Sequence, residues 1–394
     1  MRPEIPRGVW VLGFVSLLMD VSSEMIHALL PVYLTVGLGA GALAVGLIEG
    51  VAEATALIVK VFSGTLSDRL GHRKWIAAAG YGMAAFTKPL FALATGPGLV
   101  FAARFIDRIG KGIRGAPRDA LIADITPPAI RGAAFGLRQS LDTIGAFAGP
   151  LLAIALMLAW NDDFRAVFWV AVVPAMLSFG LAAFAVHEPE RVPGNATPEK
   201  APGTFSSRTL SALGSAFWGV TIAAAVLTLA RFSEAFLILR GQDLGLGAAF
   251  APLVLVGMNV VYAGVSYPVG RLADRTPAIA LLMAGIATLV AADVVLALAS
   301  GLAALAAGVV LWGLHMGLTQ GVFAKLVADA APRELRGTAF GVFNLASGGA
   351  MLVSSALAGA LWQFAGPAWT FGVGAAIAAA SALLTRSALS RRTT

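Results

Sequence analysis

With 394 residues, 58% hydrophobic and only 12% charged, the chain cannot cover itself with a water-compatible surface, for which a soluble domain uses roughly a quarter charged residues. Its net charge of +7 sits in short connections between apolar runs, which a membrane protein's positive cytoplasmic loops explain without a nucleic-acid partner. The absence of cysteine excludes disulfides and thiolate metal sites.

Apolar runs of the length that spans a bilayer, about 20 residues, predict helices over 8–36, 43–66, 75–95, 98–120, 131–158 and 165–186. A second set follows at 211–240, 248–272, 277–299, 302–328, 336–362 and 367–386. Their continuity, without ten-residue alternation, favours helices over barrel strands. No short apolar segment with a small-residue cleavage site precedes the first run, so the amino terminus is expected to be retained.

The first span carries Asp20, Glu24 and His27 at i, i+4 and i+7, on one face near mid-span. Each is expensive in lipid, so a function is expected. Two chemistries compete there. The carboxylates could take up and release protons, or the three side chains could ligate a divalent cation such as iron or manganese. The proton reading is preferred. The second span places Glu49, Glu53 and Lys60 on one face, for cavity lining or interhelical bracing.

A charged hairpin follows, Gly64-Thr65-Leu66-Ser67-Asp68-Arg69-Leu70-Gly71-His72-Arg73-Lys74. Asp68 ends a helix and can accept hydrogen bonds from the start of a neighbouring one. The fourth span is the most charged, with Arg104, Asp107, Arg108, Lys111, Arg114 and Arg118 inside about a third of the helix circumference. A charge at the bilayer centre costs about 3 kcal/mol or more. Arg104, Asp107 and Arg108 are therefore expected in a water-filled cavity, whereas Arg114 and Arg118 reach the cytoplasmic interface. The fifth span combines the small residues Gly136, Gly145 and Gly149 with Pro150, and carries Arg138 and Asp142.

Residues 188–210 are rich in Pro, Gly, Ser, Thr and charge and read as a cytoplasmic linker between halves at 1–187 and 211–394. Beyond it, Ser233-Glu234 repeats Ser23-Glu24, which makes Arg231 an expected partner for Asp20. Gly270-Arg271-Leu272-Ala273-Asp274-Arg275 echoes the hairpin, with Pro277 in place of its glycine. The run from Ala123-Asp124 to Arg131-Gly132 returns as Ala328-Asp329 to Arg336-Gly337, and both continue to Phe-Gly. The lone Asp293 is expected to pair locally, and His315 to be a hydrogen-bonded core histidine.

Arginine and lysine gather at alternate connections, with Arg165 and Arg240 as exceptions. Both termini are thus expected in the cytoplasm of a cell whose inner membrane holds the chain.

The two hairpins, each between apolar runs of one half, resemble the loop between helices 2 and 3 of the major facilitator superfamily, G-x-L-a-D-r-x-G-r-k. That resemblance covers nearly the whole chain. It implies an all-α integral membrane fold of twelve transmembrane helices, arranged as two pseudo-symmetric six-helix bundles with substrate near mid-membrane. It also implies a gating role for Gly64, Asp68, Arg69, Gly71 and Arg73 against the helix 11 start at Arg336-Gly337. By the same symmetry Asp274 and Arg275 would face the helix 5 start at Arg131-Gly132. Arg104 occupies the arginine of the family's R-x-x-q-G motif, from which Asp107 and Arg108 depart. Gly136, Gly145, Gly149 and Pro150 match the antiporter motif G-x8-G-x3-G-P-x2-G-x-G up to its last two glycines, which are Ala153 and Ala155 here. That match implies export in exchange for protons.

Secondary transport by alternating access is the expected function. Asp20, Glu24, Asp107 and Asp142 are the proton-coupling candidates. Arg104, Arg108, His27, Glu49, Glu53, Arg138, Arg231 and Glu234 are the cavity candidates. An importer, or a metal transporter using Asp20, Glu24 and His27, is the alternative; a non-transporting sensor is disfavoured by the short linker and tails. No nucleophile–base set or nucleotide loop appears, so neither enzymatic activity nor a cofactor is expected. The expected partners are a small-molecule or ion substrate, protons and lipid, with the chain acting as a monomer.

Overall fold

Lipid offers no hydrogen bonds to the backbone, so each apolar run closes its own as helix. The computed structural model describes residues 4–70, 72–188, 207–273, 275–332 and 335–390, without the side chains at 64–66, 68–70, 129, 207–208 and 387–390. Of the positions expected to act in gating, Gly71 and Asp274 therefore lie outside the described residues, and Gly64, Asp68 and Arg69 are described in their backbone alone.

In chain order the helices are α1 (Arg7–Val32), α2 (Ala42–Leu70), α3 (Arg73–Ala92), α4 (Pro97–Ile125), α5 (Arg131–Ala159) and α6 (Phe164–Gly180). Then come α7 (Ser207–Ala212), α8 (Gly214–Ala230), α9 (Ala235–Asp243), α10 (Leu253–Leu272), α11 (Ala278–Ala297), α12 (Leu302–Ala330), α13 (Arg336–Ala365) and α14 (Pro367–Ser390). α1 and α6 each finish in a π-helical turn, Tyr33–Gly37 and Leu181–Ala185. Among the described residues ten segments are long and apolar enough to cross a bilayer. The other two expected spans, α3 and α4, pair with each other and carry buried charge.

The seventh span is not the continuous helix expected over 211–240. It begins at Gly214, whose φ of +78° suits glycine, and breaks between α8 and α9 at Arg231–Glu234. Side chains satisfy the freed backbone. The Ser233 amide donates to Ser355 Oγ of α13 at 3.2 Å, and Ser233 Oγ accepts from the Ala235 amide at 3.2 Å. α4 runs to Ile125, past the expected end at 120, because its polar last turns stay helical beyond the apolar stretch.

The chain divides into two compact units, Met1–Arg191 with Gly247–Leu253, and Val192–Leu246 with Val254–Thr394. In the first, α1 packs on α5 and α6, α3 on α4 and α6, and α2 on α4. Glycine sets the close approaches. A Cβ on Gly80 of α3 would meet Gly110 O of α4 at 2.7 Å, and one on Gly110 would meet Gly80 O at 2.6 Å. Backbones touching this closely recover in dispersion what lipid-exposed helices lack in hydrophobic drive. Val15, Met19, Ala78, Tyr81, Ala84, Ala85, Ala175 and Ala182 form an apolar core between α1, α3 and α6.

In the second unit α11 packs on α12 and α14, and α8 on α13 and α14. Its core is aromatic. Phe232 at the α8–α9 break lies 5.4 Å from both Trp312 and Phe371 and 5.5 Å from Phe236, ring centre to ring centre.

Candidate functional site

The charged face of α4 organises the first unit. Arg104, Asp107, Arg108 and Arg114 are all buried, so each needs a partner to offset its desolvation. The neighbouring helices supply them. Arg104 Nη2 donates to Glu49 Oε2 of α2 at 2.8 Å and lies 4.0 Å from Glu53. Arg108 Nη1 meets Glu53 Oε1 at 3.3 Å, and its Nε lies 3.4 Å from Asp107 Oδ2. Asp107 Oδ1 accepts from Lys88 Nζ of α3 at 2.8 Å, and Lys88 also donates to Ser23 Oγ of α1 at 3.0 Å.

From Glu49 the contacts run the other way. His27 Nε2 lies 3.6 Å from Glu49 Oε2, and His27 Nδ1 lies 3.4 Å from Glu24 Oε2. The chain of contacts Glu24–His27–Glu49–Arg104–Glu53–Arg108–Asp107–Lys88–Ser23 therefore leaves α1, crosses α2, α4 and α3, and returns to α1 one residue away. It is a closed ring of polar side chains around four helices.

A second set lies further along α4. Arg118 Nη1 donates to Ser16 Oγ of α1 at 3.0 Å and pairs with Asp119 at 3.0 Å. Arg138 of α5 joins Asp119 at 3.3 Å to Asp142 at 3.1 Å. Arg114 lies over the Tyr81 ring at 5.0 Å, and Tyr81 Oη is 3.2 Å from Ser16 Oγ. These contacts correct the expectation that Arg114 and Arg118 simply reach a wet interface. Arg114 is buried against the aromatic face, whereas Arg118, 13% exposed, is tied back to α1 and to Asp119.

Asp20 lies between the two sets. It has no hydrogen-bond or ion-pair partner among the described residues, but it lies in the field of Asp142, Arg114, Lys111 and Glu24. α5 approaches it along glycine. A Cβ on Gly145 would meet Leu17 O at 2.7 Å and Asp20 Cβ at 3.0 Å, and one on Gly149 would meet Val21 O at 2.7 Å and Glu24 Cβ at 2.9 Å. Gly136, the first glycine of the same motif, has nothing within 4 Å. Pro150 is buried inside α5.

The structure thus brings together Glu24, His27, Glu49, Glu53, Arg104, Asp107 and Arg108, and separately Arg138 with Asp142. Glu49 and Glu53 act as braces from α2 to α4, while Lys60 is exposed. Asp20, Glu24 and His27 do not converge on a common point: among the described residues no three His, Cys, Asp or Glu side chains are placed to hold a metal ion. His27 turns instead to a carboxylate on each side. Arg231 and Glu234 belong to the second unit, at the α8–α9 break.

Of the gating candidates, Arg73 pairs with Asp124 at the end of α4, and its amide donates to Glu188 at 2.8 Å. Arg131 Nε donates to Thr126 O at 3.3 Å and Arg336 Nε to Ala328 O at 3.1 Å. Each ties a helix start to the turn before it. Arg275 is exposed.

Sequence reasoning missed Lys88. It is a lone cation in an apolar span, followed by Pro89, and an ionisable group inside a span is a functional candidate by default. It also missed Asp119, Ser16 and Ser23, whose roles depend on which helices touch.

The Major Facilitator Superfamily profile matches residues 12–240 and 220–394. An uncharacterised MFS-type transporter of Methanocaldococcus jannaschii is 31% identical over 389 residues, covering 97% of this chain and 94% of the relative. The multidrug resistance protein MdtH of Photorhabdus laumondii is 30% identical over 162 residues, 41% of this chain and 39% of its own length. Among solved structures, a mutant of the nucleoside transporter NupG has a TM-score of 0.79 at 12% identity, covering 97% of this chain and all of that one. Profile, relatives and all-helical membrane fold agree: the chain belongs to the Major Facilitator Superfamily, as a secondary transporter and not an enzyme.

Proposed function

We propose that this transporter exports a small solute across the inner membrane in exchange for protons, by alternating access and with both termini in the cytoplasm. The observation that carries this reading is the α1–α5 seam, where Asp20 and Glu24 lie directly against Gly145 and Gly149. Acids that could bind protons thus share a contact with the glycines that resemble an antiporter motif. A change in charge at Asp20 or Glu24 would alter how tightly α1 and α5 can approach, which is how protonation can bias one conformation over another. Similarity to a protein named for multidrug resistance also favours export.

Asp107 and Asp142 are the further proton candidates, each held by a cation, Lys88 or Arg138. Arg104 and Arg108 hold Glu49 and Glu53 in place and would meet an anionic group of the solute when those carboxylates turn away. Gating would fall to the two hairpins with the helix starts at Arg131 and Arg336.

A thermal-shift screen of solutes on the purified chain at two pH values identifies candidate cargo. Uptake of that cargo into inside-out proteoliposomes, with a proton gradient imposed and then collapsed, tests the exchange. Accumulation that depends on the gradient and is lost in Asp20→Asn supports the proposal. Accumulation indifferent to the gradient refutes it.

A further inference from the structure

The second unit holds a carboxyl group that this coupling chemistry does not use. Asp293 lies in α11, one turn before its end at Ala297. It is fully buried, and neither carboxyl oxygen has a hydrogen-bond partner among the described residues. The local pairing expected from sequence is absent there.

Its enclosure is apolar and tight. α14 approaches it at Gly374, where a Cβ would meet Asp293 Oδ2 at 2.9 Å and Phe232 Cε1 at 3.1 Å. Phe232 belongs to the α8–α9 break and to the aromatic cluster with Phe236, Trp312 and Phe371. A neutral carboxyl suits that apolar contact, and an ionised one does not.

The charged and titratable groups on the packed elements stand off. From α12, His315 turns its Nδ1 to Gly285 O at 2.8 Å, two turns back along α11, and Lys325 Nζ donates to Ala273 O. α14 carries no ionisable residue before Arg386. At the α8–α9 break, Arg231 and Glu234 flank Phe232 and Ser233.

An ionised carboxylate without a partner in such a place costs several kcal/mol, whereas a neutral carboxyl costs far less. We propose that Asp293 is a proton-binding site of the second unit, protonated while Gly374 and Phe232 seal it. When the α8–α9 break shifts, the carboxyl gives its proton to water, and the carboxylate left behind takes Arg231 as counter-charge. The break suits that role because its backbone already relies on side chains such as Ser355, which can re-form their bonds elsewhere. This site stands whether or not Asp20 and Glu24 carry protons.

Difference infrared spectroscopy of the full chain in lipid vesicles, titrated from acidic to alkaline pH, tests it directly. The expected result is a protonated-carboxyl carbonyl band that disappears at the alkaline end and is missing throughout in Asp293→Asn. Gly374→Ala supplies a check that leaves the carboxyl in place: a methyl 2.9 Å from Oδ2 should shift that band in frequency. Spectra of wild type and Asp293→Asn that coincide at every pH would overturn the proposal. So would an Asp293-dependent band that survives to the alkaline end, or one that Gly374→Ala leaves unmoved.

Discussion

Lys88 Nζ and Asp107 Oδ1 lie 2.8 Å apart between α3 and α4, each side chain 2% exposed. Removing one member takes from the other its nearest counter-charge and leaves it only a weaker contact, Arg108 for Asp107 and Ser23 for Lys88; breaking a buried pair typically costs about 3–5 kcal/mol. Lys88→Ala and Asp107→Ala should each lower the thermal midpoint of the purified protein sharply. Replacing both with leucine should recover most of the loss, since an apolar pair carries no desolvation penalty. A double-mutant cycle with no recovery would show that the pair does not act as a unit.

Among the described residues Asp20 has no partner to lose, so Asp20→Asn should fold with nearly unchanged stability while abolishing transport driven by a proton gradient. Glu24→Gln should lose the same activity, with a modest stability cost from its contact with His27 at 3.4 Å. The check is flux in proteoliposomes beside thermal unfolding of the same preparations. Normal gradient-driven flux in both variants would remove them from coupling.

The α1–α5 seam distinguishes glycines that a motif treats alike. Gly149→Ala places a methyl 2.7 Å from the Val21 carbonyl; because backbone cannot step aside cheaply, a loss of about 1–3 kcal/mol is expected. Gly136→Ala meets nothing within 4 Å and should be neutral or stabilising by up to about 1 kcal/mol, as for alanine replacing glycine inside a helix. Thermal unfolding of both variants measures the difference.

Ser355 answers for the amide of Ser233 in the α8–α9 break at 3.2 Å. Ser355→Ala leaves that buried donor unmet, at about 1–3 kcal/mol. Hydrogen exchange read by mass spectrometry should show faster exchange across residues 231–236, with α11 unchanged.

Titration of manganese or iron(II) into the wild-type protein should leave its thermal midpoint unmoved, because His27 is engaged by Glu24 and Glu49 and no three donors converge among the described residues. A saturable rise lost in His27→Ala would instead point to a metal site.

Most of the fold was legible because apolar length and continuity decide what can cross a bilayer, and they do so locally. The seventh span was not. Arg231 to Glu234 keeps an apolar environment on both sides, and the break depends on Ser355, 122 residues away in the chain. The candidate site was half legible for the same reason. The α4 stripe and the α1 acids stand out by spacing, but pairing is a property of neighbouring helices. Nothing in the α1 spacing says that His27 serves Glu49 as well as Glu24, or that Asp107 answers to Lys88. Asp293 shows the reverse: a partner was expected nearby, and beside Gly374 and Phe232 it has none among the described residues.

The polar contacts that leave Glu24 and come home at Ser23 have no loose end. In an open string, one cut isolates everything downstream; in a loop, every member keeps a second route to the rest. Single substitutions along it should therefore understate its importance, and pairs taken from opposite arcs, such as His27 with Lys88, should cost more than their separate effects added together.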